Sequence, residues 1–207
     1  MQNERERELH KLTFRELYWS SAREEAFGYV WENRDSLPSI EERLQEKQEK
    51  LADPSRRSGP LAEGTSVRRY MEGFVSGVKD ALKLLRSVGN RKNGPSKKLA
   101  SSFYREILEA RARHHAVVFA KNHDINEISG WALEVEKSTP DLFLVKVKES
   151  PIETDTKDRI SDEQTLRNST SLGDSLDIYY RAYLGALRDV MKAAKELGIE
   201  TVSAKSK

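Results

Sequence analysis

Two segments that lie far apart in the chain carry nearly the same pattern of residues. The segment 64–89 is repeated 109 positions later as 173–198. In both copies the shared residues step by three and four, which is typical of one face of an α-helix. The pattern predicts helices over about 66–88 and 175–197, each stopped by a glycine. The matched positions are Tyr70 and Tyr179, Gly73 and Ala182, Gly77 and Ala186, Asp80 and Asp189, Lys83 and Lys192, and Gly89 and Gly198.

A fainter repeat precedes each copy. The run Phe14-Arg-Glu-Leu17 reappears 90 positions later as Tyr104-Arg-Glu-Ile107, followed in both places by matching alanine and arginine positions. Apolar spacing predicts helices over about 13–33 and 100–122. We therefore expect an all-α fold whose four-helix core is a duplicated helix pair related by a pseudo-twofold axis.

Two further elements are expected outside this core. A helix that starts near Ser36 and ends near Ala52 has a thin apolar stripe, so it should lie on the outside of the bundle. In the second copy, two alternating apolar runs flank a turn at 138–141, which is typical of a β-hairpin. The runs are Trp131, Leu133 and Val135, and Phe143, Val145 and Val147.

These elements divide the chain into five parts. We expect a flexible charged arm at 1–12, a first helical repeat at 13–90, a basic linker at 91–99, a second helical repeat at 100–199 and a flexible tail at 200–207. The second repeat would carry the hairpin and a polar loop as an insert at 123–173.

Composition limits the possible functions. The 36 lysines and arginines nearly balance 34 acidic residues, so a basic surface could only be local. The chain has no cysteine, which excludes disulfides and thiolate metal sites. Long apolar runs are absent, and so are phosphate-binding loops, nucleophile elbows and zinc helices. We expect a cytoplasmic protein without a membrane partner or a cofactor.

Small residues form a seam along the repeated helices. Gly73 and Gly77 in the first copy correspond to Ala182 and Ala186 in the second, and side chains of this size let helix backbones approach closely. Glycine inside a helix costs about 1 kcal/mol relative to alanine, so a packing reason is expected. The simplest arrangement crosses helix 66–88 against helix 175–197 at this seam. The alternative is a groove for a ligand.

Charged residues are also repeated. If the two helices of each copy run antiparallel, Arg23 lies near Asp80 and Glu16 near Lys83, and the second copy mirrors both pairs. The structural interpretation is that these ion pairs set the register of the helices. The alternative is an enzyme site in which a carboxylate acts as base and an arginine holds an anionic substrate. Its residues would be Glu16, Arg23, Asp80, Glu106, Arg113 and Asp189.

A metal site is a weaker alternative. His114 and His115 occupy the positions that match Glu24 and Glu25, so a twofold axis could bring carboxylates and imidazoles together. The Glu-x-x-His pattern of carboxylate-bridged bundles is missing, however. Adjacent side chains on a helix also point about 100° apart. Surface or core-edge histidines are therefore the default expectation.

Clusters of basic residues indicate a possible partner. They lie in the linker, in the loop before helix 66–88, at the start of that helix and on the predicted hairpin. There they could follow a phosphate backbone, and ordinary solvated lysines are the competing interpretation. We predict a non-enzymatic interaction module that binds nucleic acid, or acts as a scaffold in a protein assembly or homo-oligomer. The proposed nucleic-acid contacts are Arg91, Lys92, Lys97, Lys98, Lys137, Lys146 and Lys148.

Overall fold

Helices dominate the part of the chain that the computed structural model describes, which is residues 2–56, 59–88, 96–139, 166 and 168–199. The all-α prediction is confirmed at this level. Two short 3₁₀ turns, Pro54–Arg56 and Gly59–Leu61, connect the second and third helices. The α-helices of the described residues are α1 (Gln2–Glu32), α2 (Leu37–Ala52), α3 (Ser66–Val88), α4 (Lys97–Asn122), α5 (Ile125–Lys137) and α6 (Leu172–Glu196).

Local sequence signals set several helix ends. The Ser96 hydroxyl accepts a hydrogen bond from the Leu99 N–H at 3.1 Å and caps α4. Asp124 and Glu127 form a reciprocal capping box at the start of α5. At the end of α6, Gly198 has a φ of +68°. The amides of Gly198 and Ile199 then bond back into the last turn, as in a Schellman motif.

The principal helix pairs are parallel. Gly73 of α3 lies over Ala22 of α1, and Gly77 lies over Ala26, so both helices advance in the same direction. The chain returns between them through α2, whose Glu41 pairs with Arg86 of α3 at 2.6 Å. This arrangement contradicts the expected antiparallel pairing.

α4 and α6 also run parallel to each other. The hydroxyl oxygens of Ser101 and Thr170 are 3.0 Å apart near the starts of α4 and α6. Further along both helices, Arg113 donates a hydrogen bond to Asp189. α5 packs on α6, where the Trp131 indole N–H donates to the Tyr183 hydroxyl at 3.1 Å.

α1 and α4 join the two halves and run antiparallel. The rings of Phe27 and Phe103 are 5.7 Å apart, whereas Lys121, near the end of α4, lies over Phe14. Buried side chains form two clusters. The first includes Trp31, Ile40, Phe74 and Phe103, and the second includes Ala116, Ile128, Tyr183 and Leu187.

The glycine seam faces α1, so the predicted crossing of helix 66–88 against helix 175–197 is wrong. A Cβ atom added to Gly77 would lie 2.7 Å from the Ala26 Cβ and 3.3 Å from the Arg23 Cα. One added to Gly73 would lie 3.0 Å from the Trp19 carbonyl oxygen. The small residues therefore bring α3 close to the backbone of α1 rather than to α6.

The predicted β-hairpin is wrong in its first strand. Trp131, Leu133 and Val135 lie in α5, and none of the described residues is in a strand. The buried residues of α5 are Ile128, Ala132 and Val135, a helical spacing, while Leu133 is 48% exposed. The second proposed strand, 143–147, lies outside the described residues.

The charged segment assigned to the arm belongs to the first helix. α1 begins at Gln2, so residues 2–12 are helical. Thr13 lies inside this helix, where its hydroxyl donates to the His10 carbonyl at 2.9 Å.

Two of the four predicted ion pairs form. Arg23 reaches Asp80, and Arg113 reaches Asp189, both at 2.7 Å. The pairs of Glu16 with Lys83 and of Glu106 with Lys192 are wrong. Because α1 and α3 are parallel, Lys83 lies further along the bundle than Glu16. Instead, Glu16 lies near Arg69, Glu106 near Arg23 and Lys192 near Glu196.

Candidate functional site

A cavity of about 580 Å³ opens between α1, α3, α4 and α6. It is lined by four arginines, four carboxylates and six apolar side chains, and we call the apolar group its floor. We call this space the arginine cleft. The charged lining residues are Arg15, Arg68, Arg69, Arg113, Glu16, Glu63, Glu72 and Asp189, and the apolar ones are Leu9, Leu12, Val117, Ala186, Val190 and Ala193.

Two of these arginines are firmly held. Arg68 donates from Nε to Glu72 at 3.0 Å and from Nη1 to the Leu61 carbonyl at 3.3 Å. Arg113 donates to Asp189 at 2.7 Å. Their guanidinium groups are already used within the protein, so they shape the wall of the cleft.

The other two arginines have unused donors. The Arg69 guanidinium lies 4.4 Å from the centre of the Trp19 ring, and its Nε is buried without a hydrogen-bond partner. Its carboxylate neighbours Glu16 and Glu72 are 3.7 and 3.6 Å away, beyond hydrogen-bond distance. Arg15 is exposed and makes no hydrogen bond or ion pair with another described residue. An anion in the cleft could engage both.

Aromatic rings line the neighbouring part of α1. His10, Phe14 and Tyr18 are spaced four residues apart and share one helix face, with ring centroids 5.7 and 5.1 Å apart in sequence order. We call this surface the aromatic face. The Lys121 ammonium lies 4.6 Å from the Phe14 ring, a cation–π contact.

The aromatic face borders a second cavity of about 290 Å³. Lys11 and Arg15 line it, and the described residues around it include no carboxylate. Arg15 and Gly64 border both cavities, so the two spaces are neighbours. The sequence interpretation missed this surface because it assigned Phe14 and Tyr18 to the apolar stripe. The sequence signal for this surface was the basic pair Lys11 and Arg15, which are four residues apart, the same spacing as the rings.

The residues of the predicted catalytic site fall into two groups. Glu16, Arg113 and Asp189 line the arginine cleft. The other three residues, Arg23, Asp80 and Glu106, form a separate cluster in which Arg23 bridges the two carboxylates. Burial raises the pKa of Glu106 above its usual range, and Glu109 and Asp80 add to this effect against the attraction of Arg23.

The alternative metal residues are not gathered into one site. Glu24 pairs with Arg111 at 2.8 Å, and Glu25 accepts a hydrogen bond from the Tyr70 hydroxyl. His115 Nδ1 lies 2.5 Å from the Tyr179 hydroxyl. Within the described ranges, no three His, Asp or Glu side chains are close enough to hold a metal ion.

A buried polar network occupies this position instead. The side chains of Glu24 and Arg111 are only 7% and 12% exposed. Burial, with the nearby charges of His114 and Arg111, lowers the pKa of His115 to about 4, so its imidazole is neutral near pH 7. The neutral ring can accept a hydrogen bond from the Tyr179 hydroxyl. Burial also raises the pKa of Tyr183 to about 12. This network joins α1, α4 and α6.

The predicted nucleic-acid residues are only partly described. Lys97 and Lys98 are exposed in the first turn of α4, and Lys137 is exposed at the end of α5. Arg91, Lys92, Lys146 and Lys148 lie outside the described residues.

No helix in the described part of the chain is long and apolar enough to span a bilayer. Compared with known proteins, the chain matches no protein-family model, no curated protein and no solved structure.

Proposed function

We propose that this protein is a non-enzymatic module that binds single-stranded nucleic acid along the aromatic face and into the arginine cleft. The observation that carries the proposal is the aromatic face itself. Three partly or fully exposed rings lie on one side of α1, next to Lys11, Arg15 and Lys121.

The chemistry of this surface suits unpaired bases. Bases stack on exposed aromatic rings with little dependence on sequence, and each stacked base contributes about 1–3 kcal/mol. The lysine and arginine side chains beside the rings can neutralise the phosphates between successive bases. A duplex does not expose its base faces in this way, so a single strand is the favoured form.

Charge sets the expected salt dependence. The chain has a net charge of only +2, so binding would depend on local cations rather than on a long-range field. If Lys11, Arg15 and Lys121 each neutralise one phosphate, the logarithm of the affinity should fall with the logarithm of salt concentration with a slope of about −2.

The lysines at the start of α4 offer a second contact region. Lys98 precedes Lys121 by 23 residues on α4, which is about 35 Å of helix. A strand that reaches both would have to run along the bundle. The two regions can therefore be tested separately.

The experiment is a fluorescence anisotropy titration with 20-nucleotide single strands of RNA and DNA at about 50 mM salt. Tyr18→Ala should weaken binding about tenfold or more, whereas Tyr18→Phe keeps the ring and should bind like the wild type. The double change Lys97→Gln with Lys98→Gln tests the second region. Absence of binding by the wild type at low salt would refute the proposal.

Catalysis in the arginine cleft is the second candidate function. It is favoured by one observation, that Glu16, Arg113 and Asp189 line a cavity of substrate size. The test is the structure-preserving change Glu16→Gln. Turnover of a bound ligand by the wild type but not by this variant would support an enzyme, and a ligand that is recovered unchanged from both would count against it.

For the origin of the fold we propose a duplication of a three-helix unit, with repeats at 13–90 and 100–199. Support comes from the two parallel helix pairs and from the equal Arg–Asp distances of 2.7 Å at matched positions. The copies differ at the cleft, because Ile178 occupies the position that matches Arg69. Separate expression of 100–199 tests the proposal, since an independent unit should retain helical circular dichroism.

A further inference from the structure

We infer that the arginine cleft holds the phosphate and the ribose of a ribonucleotide, with the phosphate between Arg15 and Arg69. This inference deepens the proposed function. It rests on that function where the ribonucleotide is the end of an RNA strand. The ribonucleotide could be the phosphorylated end of a bound RNA strand or a free nucleoside monophosphate.

The phosphate position follows from the unused donors. The Arg69 side chain is 32% exposed, and its Nη2 and Nη1 atoms lie 3.7 and 3.6 Å from Glu16 and Glu72, too far for hydrogen bonds, so these terminal donors can reach a ligand. Arg15 is exposed at the same cleft and makes no ion pair with another described residue. Arginine binds phosphate through forked, charge-assisted hydrogen bonds, so a phosphate here would engage both groups.

The carboxylates of the cleft select for a ligand that also carries hydroxyl groups. Glu63 is exposed and makes no hydrogen bond or ion pair with another described residue, and Glu16 has only a loose contact with Arg69. Ionised carboxylates accept hydrogen bonds and repel a phosphate. A bare phosphate would meet this repulsion without compensation, whereas ribose hydroxyls would donate to the carboxylates.

The size and the floor of the cleft fit one nucleotide. Its volume of about 580 Å³ lies in the usual range for small-molecule sites. Leu9, Leu12 and Val117 give the floor an apolar surface against which a base could lie. Since Arg15 and Gly64 also border the aromatic cavity, a strand whose end lies in the cleft can continue along the aromatic face.

The test compares ligands that differ in single groups. RNA decamers with a 5′-phosphate, a 3′-phosphate or hydroxyls at both ends are titrated by anisotropy, with DNA decamers as the 2′-deoxy counterparts. Uridine and adenosine monophosphates are measured by calorimetry. We expect one terminal phosphate to tighten RNA binding about tenfold, and DNA to lose part of this gain.

Variants locate the effect. Arg15→Gln should abolish the preference for the terminal phosphate, and its side chain is exposed and unpaired among the described residues, so folding is not at risk. Arg69→Lys keeps the charge but removes the fork, and should reduce the same preference. The matched control is Arg181→Gln, which removes a 77% exposed arginine outside the cleft and should change nothing.

The outcomes separate the inference from the proposed function. Strands that bind equally well with and without a terminal phosphate, together with nucleoside monophosphates that do not bind, would overturn the inference and leave the proposed function standing. Nucleoside monophosphates that bind in an Arg15-dependent way, without any strand binding, would support the cleft site with a free nucleotide and refute the proposed function. Failure of every ligand to bind would overturn both.

Discussion

The change Gly77→Ala tests the close contact between α1 and α3. Gly77 lies in the middle of α3, where alanine would normally be the better helix former by about 1 kcal/mol. The added Cβ, however, would lie 2.7 Å from the Ala26 Cβ and 3.3 Å from the Arg23 Cα. The second of these atoms belongs to the backbone, so relief requires the two helices to separate.

The balance of these terms gives the expected magnitude. Overpacking a tight contact costs about 1–3 kcal/mol, and the gain in helix propensity offsets part of it. We expect Gly77→Ala to lower the free energy of unfolding by up to about 2 kcal/mol. For a protein of this size, 1 kcal/mol corresponds to about 2–4 °C in Tm.

The assay is thermal and urea unfolding followed by circular dichroism, with Gly185→Ala as the matched control. Gly185 lies inside α6, and a Cβ added there meets no atom within 4 Å, so this variant should gain about 1 kcal/mol. In the background Ala26→Gly, the change Gly77→Ala should lose most of its cost, because the closest clash is removed. If Gly77→Ala raised Tm as Gly185→Ala does, the argument for a close-packed seam would be refuted.

Three further predictions concern buried charges. Glu24→Gln should reduce stability by about 3 kcal/mol in urea unfolding because it removes the carboxylate charge that pairs with the largely buried Arg111, whereas Glu24→Leu combined with Arg111→Met should recover most of this loss. The pKa of His115 is lowered to about 4, so the unfolded chain binds more protons than the folded protein between pH 6.5 and 4. The free energy of unfolding should therefore fall by up to about 3 kcal/mol as pH drops through this window. His115→Asn should flatten the pH profile of stability. The pKa of Glu106 is raised, so the folded protein keeps this proton to a higher pH than the unfolded chain does, and stability should decrease as pH rises above 4.5. Glu106→Gln should remove this decrease. An unchanged pH profile in the variant would contradict the assigned cause.

The helices of the core could be predicted because their apolar spacing is long and regular. The range predicted for α3 agrees with Ser66–Val88, and the stop of α6 at Gly198 follows from its positive φ. α5 was missed because Trp131, Leu133 and Val135 also fit a strand, and period alone does not decide a short segment. The capping pair Asp124 and Glu127 was the signal that favours a helix.

The direction of the helix pairs could not be read from the sequence. Arg23 and Asp80 are compatible with a parallel or an antiparallel pair, because arginine is long enough to reach across either. The deciding element is α2, which carries the chain back before α3 begins. The pair of Glu24 and Arg111 was missed for a related reason, since its partners lie on different halves and share no spacing.

The parallel pairing of α1 and α3 has a consequence for the kinetics of folding. In an up-and-down bundle, neighbouring helices meet across a short turn, and such low contact order allows folding in microseconds to milliseconds. Here the contact of Ala26 with Gly77 closes a loop that includes all of α2. The chain must lose conformational entropy to close this loop before the contact between α1 and α3 can form. This bundle should therefore fold more slowly than its helix content alone would suggest.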